Sequence, residues 1–201
     1  MPSLLSALLS PSALAPASSP DVCGQAGAFL SMTPVRPGQQ AELTAYLRGL
    51  GDGGRGPFAR VTRTHFARLV VVPDFHHDAG WGQRHEDHLD LPYLVFTSCF
   101  DGDLGSYLDE LCAELAPEAP LVWGRCVGAP EQVHGEALKA YLLHNRIRTG
   151  LFFAAYPQAT TVRVRASLAR QERLVSFACR AQELAPPDLQ RAFLAEFGGG
   201  A

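Results

Sequence analysis

The chain has 201 residues, 47% of them hydrophobic and 18% charged, enough to bury a sizeable core in one folded unit. A net charge of -3 leaves no electrostatic footprint for nucleic acid, and no apolar run is long enough to span a bilayer. The five cysteines, Cys23, Cys99, Cys112, Cys126 and Cys179, form no zinc spacing and are odd in number, so neither a disulfide framework nor a structural metal is expected, and a reducing, cytoplasmic setting is the simplest reading.

Residues 1–25 read as a disordered or loosely docked N-terminal arm. Met1 to Pro20 contain the apolar run LLSALL and an APA, but no basic n-region, and proline interrupts the run, so a secretory signal is not expected. The first strand, AFLSMTPV from Ala28 to Val35, stops at the turn Arg36-Pro37-Gly38. Gln39 to Leu50 then places Leu43, Tyr46, Leu47 and Leu50 on one helical stripe. The second strand, His65 to Asp74, holds the nearly continuous β-branched run Leu69 to Val72, which predicts that both of its faces are covered.

A polar connection carrying His76, His77, Trp81, His85 and His88 leads to the third strand, LPYLVFTSCF, with Tyr93 to Phe100 at its centre. Asp103 is a natural N-cap for a helix from Leu104 to Leu115 with Leu104, Leu108, Leu111 and Leu115 inward. LVWGRCVG, Leu121 to Gly128, supplies a fourth strand, entering the sheet through Leu121 to Cys126. Residues 26–130 thus predict the ferredoxin-like order βαββαβ, an α+β unit with one antiparallel sheet and both helices on one face.

Residues 131–201 read as an extension packed on the same domain. It comprises a helix Glu136 to Asn145, a fifth strand Leu151 to Pro157, a long helix capped by Thr160 or Thr161 and running to about Leu184, and a short helix from Pro186 to about Phe197. The long helix turns Val164, Leu168, Val175 and Ala178 inward and Arg163, Arg165, Arg170, Arg173 and Arg180 outward.

This order resembles the dimeric α/β-barrel superfamily, in which two ferredoxin-like units bring their open sheet faces together. The phrases HFARLVVV, PYLVFTSCFDGD and VWGRC also resemble a group of bacterial proteins that read HFAR followed by PYLVFESNFDG, with Thr97 and Cys99 standing here where that phrase has Glu and Asn. The resemblance implies a homodimer and a menu of small-molecule functions. These are haem-dependent peroxidases and monooxygenases, cofactor-free oxygenases, and ligand-binding or assembly modules without catalysis.

Candidate residues follow from what those chemistries need. Haem needs an axial ligand, most often histidine, with an apolar pocket and a basic group for the propionates or for bound oxygen species. His65 opens a strand, and strict alternation puts it and Arg68 on opposite sheet faces. Arg68 on a sheet face needs either a buried carboxylate such as Asp101 or an anionic or oxygen species in a pocket. His144, near the end of its helix, is a second ligand candidate or a partner of the helix dipole. The connection with His76, His77, His85 and His88 lacks the HExxH spacing and must lose much entropy to form a metal site, so no metal is expected there. Cys99 and Cys126 lie among apolar neighbours and read as inert packing. The expectation is an oxidative enzyme acting on a small hydrophobic molecule, with Arg68 and His65 in the catalytic site and His65 or His144 holding haem. The alternative is a ligand-binding or assembly module.

Overall fold

The computed structural model describes residues 20–51, 56–75 and 87–198. The chain divides into two compact units, one ending at Gln158 and one beginning at Ala159.

The first unit is an α+β layer built on one antiparallel sheet. Its strands are β1 (Val22–Cys23), β2 (Ala26–Pro34), β3 (Thr64–Val72) and β4 (Tyr93–Asp101), in the order β1-β2-β4-β3. Helices α1 (Gln40–Leu50), α2 (Leu104–Glu114), the single turn α3 (Ala119–Val122) and α4 (Gly135–His144) complete it. The three long strands and the first two helices lie where sequence periodicity puts them, to within two residues at each end.

Strict alternation decides which face of the sheet is core. Phe29 of β2 and Leu94, Phe96 and Phe100 of β4 are buried and belong to one cluster with Leu43 of α1 and Leu108 and Leu111 of α2, so both helices pack on one side of the sheet. Aromatic rings fill its centre. Phe96 meets Phe29, Phe58 and, edge-on at 5.6 Å, Trp123, while Phe100 stacks on Tyr107 at 4.1 Å. Asp103 caps α2 by accepting from the Ser106 backbone N–H at 2.9 Å, as its sequence position predicts.

The predicted fourth strand does not form. Leu121 to Cys126 is instead the end of α3 followed by a 3-10 turn, Trp123–Arg125, because Pro120 starts a helical turn and a short apolar run fits a buried helix as well as a strand. What remains of strand character is a single bridge, Val35 to Cys126, on the outer edge of β2. The same edge is sealed by β1 and by residues 145–147, through Met32 N–H to Asn145 O and Ile147 N–H to Leu30 O. The predicted fifth strand, Leu151 to Pro157, is likewise not a strand; it runs without ladder partners and exposes Leu151, Phe153 and Tyr156. Both its ends are tied down, Thr149 N–H to the buried Asp21 carboxylate at 2.8 Å and Gln25 N–H to Pro157 O at 2.7 Å.

The second face of the sheet carries the other half of the alternation, and the described helices of this unit leave it uncovered. Its rows run across the strands: Ala28, Cys99 and Phe66; Leu30, Thr97 and Arg68; Met32, Val95 and Val70; Pro34, Tyr93 and Val72. Phe66 is 77% exposed and Val70 41%. Within the single chain only one face of β3 is packed: of the β-branched run, Leu69 and Val71 join the core, while strand propensity accounts for the rest.

The second unit is a pair of helices, α5 (Thr161–Ala181) and α6 (Pro186–Phe197). Thr160 caps α5 by accepting from the Arg163 backbone N–H at 3.3 Å. Phe177 packs edge-on against Phe193 and Phe197, and Arg180 pairs with Glu196 at 2.7 Å. Val164, Leu168 and Val175, expected inward, are exposed, because the side of α5 that meets α6 is the one bearing Phe177, Arg173 and Arg180.

Candidate functional site on the open sheet face

Arg68 stands in the middle of the open face, in the row with Thr97 and Leu30. It is exposed, and among the described residues its guanidinium makes no ion pair or hydrogen bond. Around it lies a shallow cavity of about 410 Å³, lined by Ala28, Leu30, Phe66, Thr97 and Cys99 and closed on one side by Thr149. A lone cation on an apolar floor with two hydroxyls beside it suits an anionic head attached to an apolar body.

His65 is placed at the start of β3 in a way that simple alternation does not predict. The register between β3 and β4 shifts between Thr64 and Phe66, so His65 is the extra residue of a β-bulge. Thr64 keeps core-side parity, with its hydroxyl 3.4 Å from the Tyr107 hydroxyl, and Phe66 takes the open side. His65 Nε2 meets Asp101 Oδ1 at 2.6 Å, and Asp101 shares the open-side parity of Thr97 and Cys99 on β4. The bulge therefore brings His65 to the side of Arg68, against the expectation of opposite faces. Asp101 accordingly partners His65, and the reading that paired it with Arg68 is corrected. The His65 and Asp101 side chains are 21% and 12% exposed, a half-sheltered pair in which the carboxylate fixes the ring and leaves Nδ1 for another partner.

His144 is elsewhere. It is exposed in the last turn of α4 and lines a separate cleft with Pro34, Gly128, Pro130, Ala137 and Tyr141. Pro34 and Asp101 sit at opposite ends of the paired nine-residue strands, roughly 27 Å apart along them. His65 and His144 therefore cannot serve one ligand. With Nε2 held by Asp101, Nδ1 is the His65 ring nitrogen left to meet a ligand, and the cavity around Arg68 is a shallow one.

Of the loop histidines, His76, His77 and His85 lie outside the described residues. His88 is described, and its Nδ1 is 2.7 Å from Asp74 Oδ2, while the Phe75 and Leu89 backbone N–H groups donate to the same carboxylate at 2.8 Å. These bonds, that from His88 first, hold the Asp74 carboxyl down at about 2. Among the described residues no three His, Cys, Asp or Glu side chains come together as a metal site. Burial raises the thiols of Cys99 and Cys126 above their ordinary value, which keeps them protonated and unreactive at neutral pH.

Sequence reading missed Asp101 as the partner of His65, Thr149 as the wall of the cavity, and Asp21 as the residue that holds Thr149 in place. Asp101 was readable as a buried carboxylate but was set against Arg68, because the bulge that brings it to His65 leaves no mark in the alternation of β3. Compared with protein-family models, with curated proteins and with solved structures, the chain matches none.

Proposed function

We propose that the chain binds a small apolar molecule on the open face of its sheet, in a chamber that a second copy of the chain closes. The observation that carries this reading is the apolar face itself, with Phe66 and Val70 exposed on a sheet whose opposite side is fully packed. The topology supports it. The order β2-β4-β3 repeats the first three places of a ferredoxin-like sheet, and the bridge from Val35 to Cys126 lies where the last strand of such a sheet runs.

The size of the face says what else such a dimer needs. Three nine-residue strands about 4.8 Å apart give roughly 400 Å² in projection, half of the roughly 800 Å² that each partner of a standard interface buries. Ile147, just before Thr149 at the cavity wall, and Leu151, Phe153 and Tyr156, just after it, are all exposed and would supply the remainder.

A second reading, a cofactor-free oxidative enzyme, is favoured by one feature, the His65–Asp101 pair. With Asp101 orienting the ring, His65 Nδ1 would take a proton from an acidic position of the bound molecule, leaving a carbanion for molecular oxygen to attack.

Sedimentation equilibrium at tens of micromolar and titration with a neutral apolar dye test the first reading. The expected result is a dimer that binds the dye, and a variant carrying Phe66→Asp and Val70→Asp that is folded, monomeric and unable to bind it. A wild-type monomer, or a dimer unaffected by both aspartates, would refute the reading.

A further inference from the structure

We infer that the molecule bound in this chamber is an amphipathic carboxylate, its head on Arg68 and its apolar body along the neighbouring rows of the sheet. The inference rests on the reading that a second copy closes the face. Arg68 is solvated in the single chain, and covering the face would take its guanidinium out of water. A buried charge without a partner is strongly unfavourable, so closure requires an anion there.

The described part of the chain holds no carboxylate for that role on this face. Asp101 is engaged by His65, and Asp21 by Arg146 and the Thr149 N–H. The other polar side chains around the cavity are hydroxyls and a thiol whose burial keeps it neutral: Thr97 in the same row as Arg68, Thr149 at the wall, and Cys99 in the next row. One guanidinium fork flanked by hydroxyls matches the two oxygens of a carboxylate, and among the described residues that line the cavity in one chain there is no second cation for a doubly charged phosphate.

The apolar body has two tracks on either side of the head. One is the row of Ala28, Cys99 and Phe66, and the other is the row of Met32, Val95 and Val70. A cavity of about 410 Å³ is within the range that holds a small organic ligand.

The test uses the full chain and three probes of equal length, octanoate, 1-octanol and octylamine, each displacing the neutral dye. Octanoate is expected to bind about tenfold more tightly than octanol, with octylamine weakest. Arg68→Gln should erase the preference by weakening octanoate, and Arg68→Lys should restore part of it. Equal binding of octanoate and octanol to the wild type, or an unchanged preference in Arg68→Gln, would overturn the carboxylate assignment while the chamber stands. If the chain sediments as a monomer or binds neither octanol nor dye, the chamber itself is refuted and the assignment falls with it. The comparison of probes on the wild type needs no variant, so a poorly folded Arg68→Gln does not blunt it.

Discussion

Asp21 is the residue whose chemistry most directly shapes the site without touching it. Its buried carboxylate accepts from Arg146 at 2.6 Å and from the Thr149 N–H at 2.8 Å, and so fixes the wall of the cavity around Arg68. Burial pushes its carboxyl up, but the Thr149 hydrogen bonds and the Arg146 charge outweigh this and hold it below the ordinary 3.8. A carboxyl depressed in the folded state contributes stability that is fully present above the ordinary value and lost as pH falls through the folded one. Asp21→Asn should therefore cost about 2 kcal/mol at neutral pH, since charge-assisted bonds are lost and Arg146 is left half-buried without its anion. Urea unfolding from pH 7 to pH 2.5 checks the sign: the gap between wild type and variant should narrow below about pH 4, and a constant gap would show that the carboxylate charge is not the cause. At this scale, Arg68 and His65 were legible because each is a polar residue in an apolar strand. Asp21 was not, because a single aspartate ahead of the first strand has no periodicity to mark it.

At the scale of elements, sequence periodicity identified what packing then enforced. Leu43 and Tyr46 in α1 and Leu108 and Leu111 in α2 lie on stripes that can only face the sheet, and the alternation in β4 fixes which of its sides is core. It failed where an apolar run is short: Leu121 to Cys126 buries Val122 and Trp123 in helical turns and keeps only Cys126 extended, and Leu151 to Pro157 finds no ladder at all. The tightest point of the sheet is predictable in the same physical terms. A Cβ on Gly27 would lie 2.6 Å from the Phe100 ring, which is itself stacked on Tyr107 with the two planes only 5° apart. Gly27→Ala should lower stability by about 1–3 kcal/mol through overpacking, read as a lower urea midpoint with an unchanged slope. Truncating the ring to relieve the clash, as Phe100→Leu in the Gly27→Ala background, should give a double variant less destabilised than the two single changes add up to. The helix cap at Thr160 offers a contrast, since Thr160→Ala removes one bond at an exposed helix start and should cost about 1 kcal/mol, all of it in the second unit.

The two units differ in how they can hold themselves together, and hydrogen exchange would make that difference measurable. The contiguous core, from Phe29 to Leu142, lies wholly within the first unit, so a chain ending at Gln158 should keep its Trp123 environment and its unfolding midpoint within a few degrees. The second unit has about forty residues, too few for a self-sufficient core, and of its described apolar side chains only Phe177 is buried, against Phe193 and Phe197. Its twenty-one-residue helix leaves Val164, Leu168 and Val175 exposed at spacings of four and seven, a stripe with no described partner. With so little burial, α5 and α6 should open at a small fraction of the free energy that opens β2 and β4. In native-state exchange at pH 7, amides in the middle of α5 should therefore lose protection orders of magnitude sooner than those of Leu30, Met32, Phe96 and Ser98. If the α5 amides instead persisted as long as the strand amides, some surface would have to cover the Val164, Leu168 and Val175 stripe in solution. Diluting the protein through its dimerisation range would then tell whether that surface belongs to a second copy, because protection supplied by a partner falls as the partner dissociates.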